Sequence, residues 1–442
     1  MKNWVISMRS VFLFFCFCVF SLAAYCQTTG ERLTLEDAIA RALEHNFDIR
    51  VADVVAQQAA VNNAAGNAGL FPNLSGTAGM NTGSANTRIE FADGRIQEVN
   101  NAQTLSYNAG VVANYTVFAA GRAWLIRKQL RANEQLAQVQ VREQMHRQVS
   151  QVIQTYARAV WQQQQSIAID TGLALAQVRM MLSRVKFETG SSAKFDFLQA
   201  RVDYNARQSD SLAQVAALNT AFADLNLLMG QDPYKTYDLD DTLEVNIALV
   251  PSDPDRLRST NPTIDIARRN VEIADLDRRI SRTFLLPSLD LNAGYNYNRS
   301  QSQAGFALFN RTFGPTGGVG LNVPIFQGGN LRRQVKVAAL EKLRQDILFA
   351  RQNTEIARQY RSAWKDYEMS VASYRLEEEN INYAKENVDI QKARFRVGIA
   401  TTLETREAEN SYVQALIRLY TAAYNLKVNE TRVLELESRL VK

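Results

Sequence analysis

The segment RVKFETG at residues 184–190 continues through FDFLQA at 195–200, and both recur as KARFRVG at 392–398 and LETREA at 403–408. The offset between the copies is 395 − 187 = 208 from Phe187 to Phe395, and 398 − 190 = 208 from Gly190 to Gly398. Glycine just past a helix that ends in basic residues is a helix stop signal, because glycine enters the left-handed conformation at little cost. The sequence therefore predicts two antiparallel helical hairpins of one design, each with a tight turn.

The N-terminal segment 1–26 has the pattern of a signal peptide. Lys2 and Arg9 precede an apolar run over positions 11–24, and small residues follow at the −3 and −1 positions of a cleavage site. This run is too short for a membrane anchor. Cleavage before Cys26, with lipidation of that cysteine, is the alternative. All 3 cysteines lie in this leader. A mature chain without it has no disulfide and no thiolate metal site.

The net charge and the hydropathy of the chain exclude some classes of function. The formal charge of +5 falls to 5 − 2 = 3 once Lys2 and Arg9 leave with the leader. So small a surplus over the whole chain gives no case for nucleic acid binding. Beyond the leader we find no apolar run approaching the ~20 residues that a membrane helix needs. If this protein spans a membrane, strands must do so.

Alternation of apolar and polar residues predicts four strands, at about residues 73–90, 104–118, 288–300 and 316–326. A helical segment precedes each pair of strands. It covers Leu33–Leu70 in the first half and Thr263–Leu286 in the second. The offset from Asn46 to Asn261 is 261 − 46 = 215, so the first half is longer by 215 − 208 = 7, and we place this insertion in a loop. We interpret residues 82–103 as a connection and the glycine-rich segment 314–320 as a turn. Four strands leave two open edges in lipid, so several copies must close one barrel.

Long helical patterns without proline follow the strands. Residues 121–230 and 329–441 form the two predicted hairpins, and about 67 residues at ~1.5 Å each make a helix of roughly 100 Å. Heptad-spaced apolar residues predict coiled-coil packing along them. The chain thus divides into a first repeat at 27–230, a connector at 231–253 that forms a belt outside the helices, and a second repeat at 254–442.

Together these features resemble the TolC-type outer membrane efflux proteins over essentially the whole mature chain. The two-fold repeat, the strand entries at Pro72 and Pro287, the strand exits at 118–121 and 326–329, and the Phe-x-x-Gly turns carry the resemblance. It implies an α+β membrane protein in which three identical chains pool their strands in one transmembrane β-barrel and their helices in a periplasmic α-barrel.

The same resemblance implies the function and its partners. The protein would be the passive outer membrane channel of a tripartite efflux or type I secretion system, without a cofactor. Its partners would be a periplasmic adaptor (membrane fusion) protein, an inner-membrane transporter and outer membrane lipid.

The resemblance also implies site residues at the hairpin tips. Family members carry acidic rings at the positions of Glu404 and Glu407, six and nine positions after Gly398. Asp196 is the candidate of the first half. For Glu404 the sequence Thr401-x-x-Glu404 fits a helix capping box equally well. The basic residue that helps to lock the closed state in the family is replaced by Ala400. The expected tip turn and adaptor contact consist of Phe187, Gly190, Phe395 and Gly398.

Two other classes remain as alternatives at this point. One is an extracytoplasmic coiled-coil scaffold or adaptor whose strands form a soluble domain. The other is an enzyme, but the chain has only 2 histidines, His45 and His146. Neither belongs to a metal-ligand or nucleophile motif, and we expect both on helix surfaces.

Overall fold

The computed structural model describes residues 31–240, 242–305 and 307–441. The predicted signal peptide and Cys26 lie outside the described residues. The chain divides into two compact units. The helical unit comprises the residues up to 51, 142–261 and those from 355 onward, and the strand unit comprises 52–141 and 262–354.

The secondary structure elements, in chain order, are β1 Glu31–Leu33, α1 Leu35–His45, α2 Phe47–Asn62, β2 Asn73–Glu90, β3 Ile96–Phe118, α3 Arg122–Glu188, α4 Lys194–Met229, β4 Tyr237–Leu239, α5 Pro254–Thr260, α6 Pro262–Thr283, β5 Ser288–Ser302, β6 Phe309–Asn322, α7 Asn330–Arg396 and α8 Thr402–Leu436. The predicted hairpins correspond to α3 with α4 and to α7 with α8. Both outgoing helices have 67 residues.

The core of the helical unit forms where α1, α3 and α4 meet a small parallel sheet of β1 and β4. Leu33 pairs with Leu239 in that sheet, and Val152, Leu225 and Met229 pack against it fully buried. This sheet lies partly in the connector, for which the sequence predicted no regular structure. The connector therefore helps to build the core of this unit.

Two buried asparagines end short helices in the same way. Asn46 is the C-cap of α1, and its Nδ2 donates to the Leu228 carbonyl at 2.8 Å. Asn261 is the C-cap of α5, and its Nδ2 donates to the Leu436 carbonyl at 3.0 Å. The shared geometry at equivalent positions of the two halves supports the interpretation as a duplicated architecture. It also breaks the helix predicted over Leu33–Leu70 at Asn46.

The strand unit is built on one antiparallel sheet in the order β2-β3-β5-β6. One face carries the apolar residues of the predicted alternation, and their side chains are exposed, as at Leu74 (69%) and Val319 (68%). The other face is polar and has glycines beside asparagines. A Cβ at Gly110 would lie 2.3 Å from Asn296 Oδ1 and 3.2 Å from the Tyr295 carbonyl oxygen, so a larger residue there would require the Asn296 side chain to move.

The strand lengths correct three predictions. β3 begins at Ile96 instead of 104, so the insertion in the first half extends a hairpin of 18- and 23-residue strands instead of a loop. β6 spans Phe309–Asn322 instead of 316–326. Residues 314–320 therefore lie inside a strand and do not form a turn. The extension is stabilised by cross-strand pairs such as Arg88 with Glu98, at 2.8 Å.

Within the described residues, α4 is long and apolar enough by composition to cross a membrane, although polar residues occur throughout it and no unbroken apolar run is present. Part of that apolar surface packs in the core through Phe222, Leu225 and Met229. His146 is half-buried instead of lying on the surface, and this burial lowers the pKa of its imidazole. His45 is exposed as expected.

Candidate functional site at the hairpin tips

Each hairpin turns at a glycine in the left-handed conformation. Gly190 has φ 73° and Gly398 has φ 82°, which confirms the predicted positive values. The Ser191 and Ile399 amides donate back to the carbonyls of Lys186 and Arg394, at 2.8 and 2.9 Å. These bonds satisfy carbonyls that the helix end leaves free. An added Cβ would meet nothing within 4 Å at either glycine, so the requirement for glycine is conformational and not steric.

The resemblance implies that these turns contact a periplasmic adaptor; on that hypothesis we expect Gly190→Val and Gly398→Val to weaken adaptor docking while leaving membrane insertion intact. A β-branched residue held at positive φ costs roughly 1 kcal/mol or more, which the turn relieves by distorting. Binding of the detergent-solubilised protein to immobilised adaptor measures the effect. Gly66→Val is the matched control, because Gly66 has open space around it and no positive φ. Normal binding by both tip variants would contradict the assignment.

The two phenylalanines of the repeated motif have different environments. Phe187 is 37% exposed and stacks on Phe197, with ring centroids 6.3 Å apart. Phe395 is only 3% exposed. Lys186 Nζ lies 3.8 Å from the centre of the Phe395 ring and donates to the Phe395 carbonyl at 2.9 Å. The ring of Phe395 therefore cannot serve as the expected adaptor contact in this arrangement, and Phe187 alone of the pair presents its ring.

The three candidate gate carboxylates also differ. Glu404 forms the capping box: its Oε2 accepts from the Thr401 amide at 2.7 Å, and its own amide donates to Thr401 Oγ1 at 3.2 Å. The hydrogen bond from the Thr401 backbone, followed by that from its hydroxyl, lowers the pKa of the Glu404 carboxyl. Asp196 accepts from Ser192 Oγ at 2.6 Å. Glu407 is exposed. The geometry thus favours the cap for Glu404 and leaves Glu407 facing solvent.

A buried charge cluster near the tips was missed by the sequence reasoning. The Arg179 side chain, on α3, is 4% exposed and donates to Glu409 on α8 and to Asp203 on α4, each at 2.9 Å. Arg406 lies 3.9 Å from the second Asp203 oxygen. Burial raises the pKa of the Glu409 carboxyl, and the adjacent Arg179 guanidinium opposes this shift only in part. We call Arg179, Asp203 and Glu409 the tip cluster.

The tip cluster joins the first hairpin to the second. Two further bonds do the same: Arg207 donates to Asn410 Oδ1 at 2.6 Å, and Lys186 donates to the Phe395 carbonyl. Together with the Arg406–Asp203 pair, these polar contacts hold the two hairpins together near their turns.

A sequence signal for the tip cluster existed in the repeat itself. At the offset of 208, Arg179 corresponds to 179 + 208 = 387, an asparagine, and Glu409 corresponds to 409 − 208 = 201, an arginine. Both positions of the Arg179–Glu409 pair therefore differ in charge between the two halves, so the pair is not a repeated feature of the two hairpins.

Comparison with known proteins identifies the family of this chain. The family model of the outer membrane efflux proteins matches residues 38–231 and 254–436. The chain belongs to the outer membrane efflux protein family. Members of this family are channels of the outer membrane, so the chain is an outer membrane channel of an efflux or secretion system, with its long helices in the periplasm. The scaffold alternative is therefore set aside.

Individual members of the family are similar at low identity. The proteases secretion protein PrtF of Dickeya chrysanthemi is 24% identical over 323 residues, which cover 71% of this chain and 68% of that protein. The CmeC outer membrane channel of Campylobacter jejuni has a TM-score of 0.76 and 17% identity, over 92% of this chain and 85% of that one. The open state of the MtrE channel of Neisseria gonorrhoeae has a TM-score of 0.72 and 16% identity, over 92% and 89%. These structures show that the chain has the fold of outer membrane channels.

Proposed function

We propose that three copies of the chain form one continuous exit duct from the periplasm to the exterior. The observation that carries this proposal is the open four-stranded sheet of the strand unit. Its outer strands β2 and β6 each pair on one side only among the described residues. In lipid, the unpaired backbone groups of both edges have no water to bind, so they require strands from other copies. The resemblance supplies the number three.

We expect the mature protein in mild detergent to have three times the mass of one chain. Closing the two sheet edges removes unsatisfied backbone groups, and the apolar face stays in the detergent. Light scattering coupled to size-exclusion chromatography measures the protein mass separately from the detergent. A folded, monodisperse monomer would rule out the shared barrel.

We further propose the partners of the duct. A periplasmic adaptor would contact the tip turns at Gly190 and Gly398, with Phe187 as the exposed ring, and an inner-membrane transporter would supply the substrate. The name of the relative from Dickeya chrysanthemi describes the secretion of proteases. A type I secretion system is therefore one of the two assemblies in which this channel would act, beside a tripartite efflux pump.

The tips would control access to the duct. Glu407 and Asp196, repeated in three copies, would line the periplasmic entrance with carboxylates. The tip cluster would hold the second hairpin against the first, and opening would require its ion pairs to separate. This arrangement supplies a closing contact in a chain that has Ala400 in place of the basic residue of the family.

A further inference from the structure

Two arginines interrupt the apolar face of the sheet. Arg299 on β5 and Arg311 on β6 are direct cross-strand partners, and Tyr107 on β3 is the partner of Arg299 on its other side. All three share the face of Tyr297 and Phe313, the preceding pair in the ladder, because residues two apart in a strand point to the same side. Positive charge thus lies on the face that is otherwise exposed and apolar.

Across the part of the chain that the structure describes, neither Arg299 nor Arg311 forms an ion pair with a carboxylate, and Arg299 Nε is buried without a hydrogen-bond partner. Like charges directly opposite each other on a sheet destabilise it. The guanidinium carbons lie 5.4 Å from the centre of the Phe309 ring and 5.9 Å from that of Phe313. Arginine on an aromatic ring keeps its N–H groups free for an acceptor. The pair therefore offers donors and positive charge to an anion from outside the chain.

Arginines at the end of the β2–β3 hairpin have partners. Arg88 on β2 pairs with Glu98 at 2.8 Å, and Arg95 in the turn pairs with Asp93 at 2.7 Å. Among the three arginines on the strands of the described sheet, the lack of a carboxylate partner is therefore particular to Arg299 and Arg311.

The pair lies at the height of a membrane boundary. Leu289 begins the apolar face of β5, and the offset to Arg299 is 299 − 289 = 10, which is about 33 Å along an extended strand. A strand tilted by about 40° rises roughly 25 Å over that length, which is the height of the apolar band of outer membrane barrels. The helices follow the opposite ends of these strands. In the proposed barrel, Arg299 and Arg311 would therefore lie at the level of the head groups of the outer leaflet.

We propose that Arg299 and Arg311 bind the phosphate of a phosphorylated lipid in the outer leaflet. Arg299 and Arg311 stand opposite each other on neighbouring strands, so their N–H donors are close enough to converge on one tetrahedral anion. Arg–phosphate contacts combine charge with directed hydrogen bonds. Phe313 and Tyr297, the preceding pair in the ladder on the membrane side of the arginines, would contact the upper acyl chains, since aromatic rings favour this level of the membrane. This site rests on the outward orientation of the apolar face in the proposed barrel.

Native mass spectrometry of the detergent-solubilised oligomer tests the site. The probes are diphosphorylated lipid A, the same lipid with its phosphates removed, and inorganic phosphate as a competitor. We expect the parent to retain the phosphorylated lipid about tenfold better than the dephosphorylated one, because charged hydrogen bonds of this type are worth at least one decade in affinity. Arg299→Gln with Arg311→Gln should lose that preference. The matched control, Arg88→Gln with Arg95→Gln, should keep it.

Several results would overturn the proposal. Equal retention of both lipids by the parent, or an unchanged preference in the Arg299 and Arg311 variant, would remove the lipid phosphate as ligand. Complete competition by millimolar inorganic phosphate would identify a site for free phosphate instead. Loss of the oligomer in that variant would show that the arginines pair with another copy of the chain. Single-channel conductance of the parent and of the Arg299 and Arg311 variant is measured in parallel. Normal conductance of the variant together with loss of its lipid preference supports the site. Absence of conductance in the parent counts against the barrel itself.

Discussion

Replacing Arg179 with leucine should release the hairpin tips from each other. The variant leaves Glu409 and Asp203 facing one another, with side chains only 7% and 18% exposed, without their shared cation. Removing one partner of a buried ion pair costs about 3–5 kcal/mol, because the remaining charge stays desolvated. Such a loss lowers hydrogen-exchange protection of the tip segment 184–203 by about 10²-fold or more. Exchange measured by mass spectrometry, with the core segment 152–160 as internal reference, checks the effect.

The variant Glu409→Gln is the matched control for Arg179→Leu. Burial already raises the pKa of Glu409, so its charged form is disfavoured by the fold more than Arg179 favours it. A carboxyl whose pKa is raised in the folded state stabilises the fold at pH values below its unfolded pKa of 4.5. That stabilisation is lost as the pH rises through the pKa of the folded state. In Glu409→Gln the amide oxygen can still accept from Arg179 across the two hairpins, and the Arg179–Asp203 pair within the first hairpin remains, so this variant should cost much less. Equal exchange in the two variants, or unchanged exchange in Arg179→Leu, would contradict the role of the cluster.

The hairpins were predictable because their signals are local. Glycine at 190 and 398 fixes the turns through backbone conformation alone, and alternation fixes the faces of the strands. The small sheet of β1 and β4 was not predictable, since each of its strands is very short and its partner lies in the distant connector. The strand lengths were missed for a related reason. Beyond their apolar residues, β2 and β3 continue through charged residues such as Arg88 and Glu98, which pair across the hairpin. The alternation of apolar and polar residues that predicts a strand is absent there.

In the candidate site, the turns were predictable from the sequence, whereas the buried ion pairs of Arg179 were not. The capping box at Thr401 was predictable from spacing, and the structure favours the cap over the ring for Glu404 because its carboxylate is bonded to the start of its own helix. Phe187 and Phe395 look equivalent in sequence, yet only one ring is exposed. Burial of Arg179 depends on which faces of four helices meet. Periodicity gives an apolar stripe, but it does not say which charged residue beside the stripe the second hairpin will cover.

Glu407→Ala should remove most of the block of the channel by multivalent cations added from the periplasmic side. In the proposed trimer three copies of this exposed carboxylate line the entrance. If they approach within ~10 Å, each pair repels by about 0.4 kcal/mol at the dielectric of water and about 1.7 kcal/mol at an effective value near 20. A trivalent cation relieves all three repulsions at once. Single-channel recordings in planar bilayers, with hexamminecobalt(III) as the blocker, measure the concentration that halves the current.

Glu404→Ala is the control that separates ring from cap. Since the Glu404 carboxylate accepts from the Thr401 amide, its removal should loosen the start of α8 and leave the block largely as in the parent. Asp196→Ala should lie between the two, because Asp196 is partly engaged by Ser192. If Glu404→Ala abolishes the block and Glu407→Ala does not, the cap opens in the assembled channel and Glu404 forms the ring. If both single variants and the double variant are blocked as strongly as the parent, the carboxylates at the entrance come from elsewhere in the chain.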